Sequence, residues 1–245
     1  MSTSILARNA SKEFTMRYHR TIKQITIAAM RRQQISDTFL AVNDVSFEIE
    51  AGESVGLMGL NGSGKSTLLK LISGVMRPDS GEVLTRGRIA GLIATGAGFH
   101  PQLTGRDNVF LNAAILGMSE AETKRKFDQI VEFADIGKFL ETPVGHYSSG
   151  MFSRLGFAVA VHTDCDIFLV DEVLAVGDRA FREKCYKRME AMLADGRTLF
   201  LVSHSESDLK RFSTRGLYLR KGHLEMDGPI TDVLERYNHD LDAGA

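Results

Sequence analysis

Tryptophan is absent from the 245 residues, cysteine occurs twice and proline four times. Cys165 and Cys185 lack the spacing of metal ligands and are too few for a disulfide framework, which excludes a disulfide-built secreted scaffold and fits reduced thiols in a cytosolic protein. Charge of neither sign dominates. With 30 basic and 31 acidic side chains and a net charge of −1, no global field draws the chain to nucleic acid, and no nucleic-acid partner is expected. No apolar run approaches the about 20 residues needed to cross a bilayer. The opening "MSTSILARNASKEF" also lacks the basic segment, apolar run and small-residue cleavage site of a secretory signal. Such a chain is expected to be soluble by itself, so any work at a membrane needs another chain to do the crossing. What is present is a 43% hydrophobic composition, enough for a sizeable core in one globular domain with an inserted lobe.

The most informative stretch is "GLNGSGKST", Gly59 to Thr67. It follows "SVGLMG", a nearly continuous apolar run of the kind buried on both faces of a parallel sheet. It precedes "STLLKLISGVM", where Leu68, Leu69, Leu71 and Ile72 give a helical face. Strand, glycine loop and helix form the setting in which a phosphate loop is credible. Gly59, Gly64, Lys65 and Ser66 meet the G-x-x-x-x-G-K-S spacing. The loop through Asn61, Gly62, Ser63 and Gly64 lets successive backbone N–H groups turn toward an anion, and the helix presents its positive end to the same place. Lys65 is expected to reach the β- and γ-phosphates of ATP, and the Ser66 hydroxyl, beside Thr67, to ligate Mg²⁺.

Three further stretches narrow the reading. "DIFLVDEVLAVGD" is an apolar strand, Ile167 to Val170, ending in two carboxylates. Asp171 is placed to hold the Mg²⁺ shell and Glu172 to orient or deprotonate the attacking water. Adjacent acids after a buried strand are costly to bury without a cation, although an exposed acidic turn is the alternative. "TLFLVSH" repeats the pattern of apolar run and polar tip. Its His204 is expected beside Asp171 at the carboxyl edge of one sheet, as a γ-phosphate contact. In "HYSSGMFSRLGFAVAVHTD", Ser148 or Ser149 caps a helix and Gly150 allows close backbone approach, an ordinary arrangement taken alone.

In their order and spacing, "GLNGSGKST", "YSSGM", "FLVDEVLAVGD" and "LVSH" resemble an ATP-binding-cassette nucleotide-binding subunit over almost the whole chain. The resemblance implies an α/β fold: a P-loop NTPase core with a mixed sheet, N-terminal antiparallel strands and an inserted α-helical subdomain. It divides the single cassette into a catalytic and β core, residues 1–98 and 163–245, and a helical lobe, residues 99–162. It also implies a head-to-tail homodimer, in which Ser148 and Gly150 of one copy contact the ATP resting on Lys65 of the other and Asp178 lies on a loop that communicates across the interface. Phe14 aligns with the aromatic that stacks on adenine in the family. From the residues alone a core phenylalanine is an equal reading, and Tyr18 is a rival. The signature departs from the usual leucine, serine, two glycines and glutamine, reading Tyr147, Ser148, Ser149, Gly150, Met151. The glutamine expected ahead of it is not evident, Ala94 or Thr95 standing near its position. The hydrolytic set of Lys65, Ser66, Asp171, Glu172 and His204 is intact, so an active ATPase is expected.

"GAGFHPQLTGRDNV", "HYSSGM" and "DEVLAVGD" together look like the nucleotide-binding subunits of bacterial polysaccharide exporters, which move lipid-linked O-antigen, capsule, teichoic acid or cell-wall galactan. That implies a polyprenyl-pyrophosphate-linked substrate, two copies of a transmembrane permease, and a place on the cytoplasmic face of the inner membrane, peripheral through the permease. The alternatives are a cassette ATPase for another exported substrate and a soluble non-transport ATPase. Some O-antigen members add a C-terminal carbohydrate-binding domain, which a chain ending at Ala245 is expected to lack. Residues 17–38 exceed a generic cassette. Arg17, Arg20, Lys23, Arg31 and Arg32, with Ile22, Ile25 and Ala29 at helical spacing, predict a basic amphipathic helix. It suits either an anionic leaflet and a lipid pyrophosphate or a solvated face on the cassette.

Overall fold

The computed structural model describes residues 2–17, 36–92, 98–171 and 177–243. The first two strands, β1 (Thr3–Arg17) and β2 (Ser36–Glu50), form a long antiparallel hairpin, with β4 (Ser80–Thr85) on the far side of β1. Val45, Phe47 and Ile49 are buried and alternate with exposed or half-exposed neighbours, the period-2 pattern of a sheet with one covered face. The hairpin register runs out to Thr15 opposite Thr38 and Arg17 opposite Ser36. This trims the expected helix at its two ends; residues 18–35, where its body was expected, lie outside the described residues. Arg17 and residues 36–38 are strand because each has a cross-strand partner for its backbone groups, whereas a helix end there would leave them unpaired. The basic residues Arg20, Lys23, Arg31 and Arg32, and Tyr18, lie outside the described residues.

A six-stranded sheet carries the rest of the core, in the order β5 (Ile89–Leu92), β6 (Ile167–Asp171), β7 (Thr198–Val202), β3 (Ser54–Met58), β8 (Arg215–Arg220), β9 (His223–Pro229). All pairings are parallel except the β8–β9 hairpin, whose Lys221–Gly222 turn has positive φ at both residues. The central strands are hydrophobic throughout because both faces are covered. Ile167 and Leu169 of β6, Phe200 and Val202 of β7 and Val55 and Leu57 of β3 pack toward the three-stranded sheet and helix α1 (Lys65–Ile72). Phe168, Val170, Leu199 and Leu201 point the other way, into a second core. Each fully buried side chain of this size contributes roughly 1.5–3 kcal/mol.

That second core also takes in three helices lying between residues 99 and 162: α2 (Gly105–Ile115), α3 (Glu120–Ala134) and α4 (Ser149–His162). Thr104 begins α2 with a reciprocal capping box to Asp107, and Ser119 begins α3 by accepting from the Glu122 N–H. On α3, Ile130 and Phe133 are buried and Phe127 and Val131 half-buried, the face that periodicity predicts. Helices α5 (Arg179–Ala194), α6 (Glu206–Phe212) and α7 (Ile230–Asp242) complete the layer. No helix among the described residues is long and apolar enough to cross a membrane.

Candidate functional site: a phosphate loop at the carboxyl edge of the sheet

The phosphate loop leaves the carboxyl end of β3, β6 ends on Asp171, and His204 follows β7 by two residues. In the sheet β7 lies between β6 and β3, all three parallel, with Asp171 opposite Val202. One edge therefore gathers Lys65 and Ser66 at the start of α1, half-exposed Asp171 and exposed His204. Glu172 lies outside the described residues, as do Ala94 and Thr95.

Glycine is required at two points of the loop by close approach. A Cβ on Gly59 would sit 2.2 Å from the Leu219 carbonyl oxygen and one on Gly64 would sit 2.1 Å from that of Ala41, both far inside contact distance. The loop is thus wedged between β2 and the end of β8, and the Gly222 N–H donates to the Ser63 carbonyl from behind at 3.0 Å. Gly64 caps α1 in the left-handed region without a side-chain cap, and the first turn of α1 holds no acid. The first N–H groups of this helix have no intrahelical acceptor, so the end is a donor array suited to an anion. Lys65 is buried, its Nζ donating to the carbonyls of Gly59 at 2.8 Å and Leu60 at 3.1 Å. The buried Ser63 hydroxyl has no hydrogen-bond partner among the described residues.

A cleft of about 320 Å³ opens on this loop, lined by Phe39, Ala41, Asn61, Gly62, Gly64, Lys65, Ser66 and Thr67. Its charge, donors and glycine cradle fit a triphosphate. Phe14 is 37% exposed, so it is no core residue, and it is the register partner of Phe39 on the neighbouring strand. The aromatic lining the cleft is Phe39, 45% exposed, which motif spacing does not single out. Ser148, Gly150 and Asp178 are not among the lining residues.

Of the two candidate serines, Ser148 caps α4, its oxygen accepting from the Met151 N–H at 3.2 Å. Ser148 and Ser149 are exposed and Gly150 lies in the first turn. Tyr147, the departure from the usual leucine, donates its hydroxyl to the Phe139 carbonyl at 2.7 Å and packs where a side chain on Gly105 would stand. Burial pushes its pKa up, so it stays a neutral donor. Asp178 caps α5 through the Phe181 N–H at 2.9 Å and pairs with Arg154 of α4 at 2.7 Å. That N–H contact first, then the Arg154 charge, holds its carboxyl below the usual range. Arg154 also stacks 4.9 Å over the Phe181 ring and reaches Asp135 at 3.4 Å, so the Asp178 cap of α5 is tied to α4 within one copy. Nothing in the motif marks Arg154; its position seven residues before Val161 says only that it is on α4.

The family model for "ABC transporter" matches residues 42–175, more than half the chain. The O-antigen export system ATP-binding protein RfbB of Klebsiella pneumoniae is 40% identical over 94% of this chain and 95% of its own length. The teichoic acids export ATP-binding protein TagH of Bacillus anthracis is 44% identical over 86% of this chain and 38% of its own length. Among solved structures, the dimeric post-hydrolysis state of the ATP-binding cassette MJ0796 bound to ADP and Pi superposes with a TM-score of 0.73. It is 24% identical, over 92% of this chain and 98% of the other, a likeness of fold. The chain belongs to the ABC transporter family, as one of its ATPase cassettes.

Proposed function

We propose that this cassette hydrolyses ATP to drive export of a lipid-linked polysaccharide, carried on a polyprenyl pyrophosphate, through a separate permease present in two copies. The observation that carries the ATPase half is the delivery of the phosphate loop, Asp171 and His204 to one sheet edge by three adjacent parallel strands. The export half is supported by relatives of near-full coverage named for O-antigen export. In this reading Lys65 and the α1 N–H groups hold the β- and γ-phosphates, and Asn61, Gly62, Ser63 and Thr67 complete the cradle. Phe39, with Phe14 beside it, supports the base. The Ser66 hydroxyl and Asp171 carboxylate would hold Mg²⁺, which when bound offsets phosphate charge. Glu172 orients the attacking water and takes its proton, while His204 contacts the γ-phosphate.

Ser148 and Gly150 act on the nucleotide of a second copy in a homodimer, and Asp178 lies at that junction. Their absence from the cleft lining within one copy accords with this, as does the dimeric solved relative. Residues 99–162 serve as the helical lobe that meets the permease at the cytoplasmic face of the membrane. The basic stretch from Arg17 to Arg32 serves substrate entry. The test is mass spectrometry of membrane lipids from cells in which the chain is depleted or replaced by Glu172→Gln. A polyprenyl-linked glycan is expected to accumulate. Unchanged lipids and surface polysaccharide, with depletion confirmed, would leave the ATPase and overturn export.

A further inference from the structure

The far end of the signature helix is held by more than a helix terminus requires. The final carbonyls of a helix have no intrahelical acceptor role to fill and must find donors elsewhere. At α4 each does. The Thr163 hydroxyl donates to Val159 at 3.1 Å and the Thr163 N–H to Ala160 at 3.2 Å. The next three carbonyls take three cations from three different elements. Arg188 of α5 donates to Val161 at 3.1 Å, Lys126 of α3 to His162 at 2.9 Å, and Arg197, ahead of β7, to Thr163 at 3.3 Å. Positive charge at a helix carboxyl end also meets the negative end of its dipole.

Two acids lock two of the three cations, Lys126 and Arg197. Asp164 pairs with Lys126 at 2.6 Å and lies 3.9 Å from Arg197. Buried Glu122, on the first turn of α3, pairs with Arg88 at 3.1 Å and lies 3.7 Å from Lys126. Arg88 is itself anchored ahead of β5, its N–H donating to Asp166 at 2.6 Å. The cluster therefore joins α3 and α4 to the strands of the six-stranded sheet at one spot. The opposite end of α4, the Ser148 cap, is exposed.

We infer that Lys126, Arg188 and Arg197 form a clamp that fixes the pivot of α4, and so act as positioning residues for the Ser148 end that engages the second copy's nucleotide. This rests on the trans role given above to Ser148. Tyr147, Phe152 and Arg154 hold the Ser148 half of α4 by contacts with the lobe and α5, while its cap is exposed, so an angular error at the clamped end is carried along the helix to that tip. Loss of the clamp then lowers the rate of hydrolysis without weakening nucleotide binding to the single copy, whose cleft contains none of these residues.

The experiment compares Lys126→Met, Lys126→Arg, Ser148→Ala and the double variant Lys126→Met/Ser148→Ala in the full chain. Steady-state ATP hydrolysis, ADP affinity and thermal melting are measured for each. Misplacing a positioned group by about 1 Å can cost about a hundredfold, and a smaller shift about tenfold. Lys126→Met is expected to lower kcat by about tenfold at unchanged ADP affinity, Lys126→Arg to restore most of it, and the double variant to lose no more than Ser148→Ala alone. Full kcat in folded Lys126→Met, or losses that multiply in the double variant, would overturn the clamp while the Ser148 role stands. An inert Ser148→Ala would overturn the trans reading itself, and the inference with it. Should Lys126→Met not fold, Arg197→Gln is read by the same criteria.

Discussion

Phe39 and Phe14 face each other across the β1–β2 hairpin, yet only Phe39 lines the nucleotide cleft. Loss of a stacking aromatic costs roughly 1–3 kcal/mol per base. Phe39→Ala is therefore expected to raise the Kd for ATP by roughly 5- to 150-fold, and Phe14→Ala by much less, in a titration with a fluorescent nucleotide. Equal losses would give both rings the same role. Glu122 is a second residue whose behaviour follows from its neighbours. Burial raises its pKa, but the Arg88 hydrogen bond, the Asp164 N–H and the charges of Arg88 and Lys126 outweigh that and leave it below the usual range. A depressed carboxyl stabilises the fold above its unfolded value and loses that contribution as pH falls through the folded one. Between about pH 5 and about pH 3, the melting temperature of the parent should fall more steeply than that of Glu122→Gln. The sequence makes the phosphate loop legible because its chemistry needs fixed residues at fixed spacing. Phe39 and Glu122 are illegible for the opposite reason. Which of two paired aromatics turns to the cleft, and whether an acid on a charged helix face is covered, depend on strands and helices distant in the chain.

Strands β3, β6 and β7 were readable as elements because burial on both faces demands unbroken apolar runs, although the equally apolar Leu155–Val161 run is helical. Alternating faces of β6 feed two different cores, so truncating either face should be felt. Leu169→Ala, fully buried against the three-stranded sheet and α1, is expected to cost about 2–5 kcal/mol in a urea titration, shifting the midpoint at constant slope. The helix expected over residues 17–38 is trimmed at both ends, where long-range pairing of β1 with β2 places Arg17 and residues 36–38 in strands.

Across the whole molecule, the hairpin register places Arg17 opposite Ser36, so the chain leaves the sheet and re-enters it at neighbouring points. Paired strands lie about 5 Å apart, and whatever connects these two residues spans no distance that the cassette needs spanned. Replacing residues 18–35 by Asn-Gly, a two-residue turn suited to such a hairpin, is expected to leave ATP hydrolysis within about twofold of the parent, because joining strand ends that already lie side by side costs little. On the proposed reading of this segment as serving substrate entry, export is expected to fail in the same cells. Loss of hydrolysis would show that the segment belongs to the ATPase. On the proposed substrate-entry reading of this segment, the paired ends of β1 and β2 are a socket: inserts of different length and chemistry could be exchanged at its rim without re-engineering the motor beneath, leaving substrate preference free to drift while the hydrolytic machinery stays still.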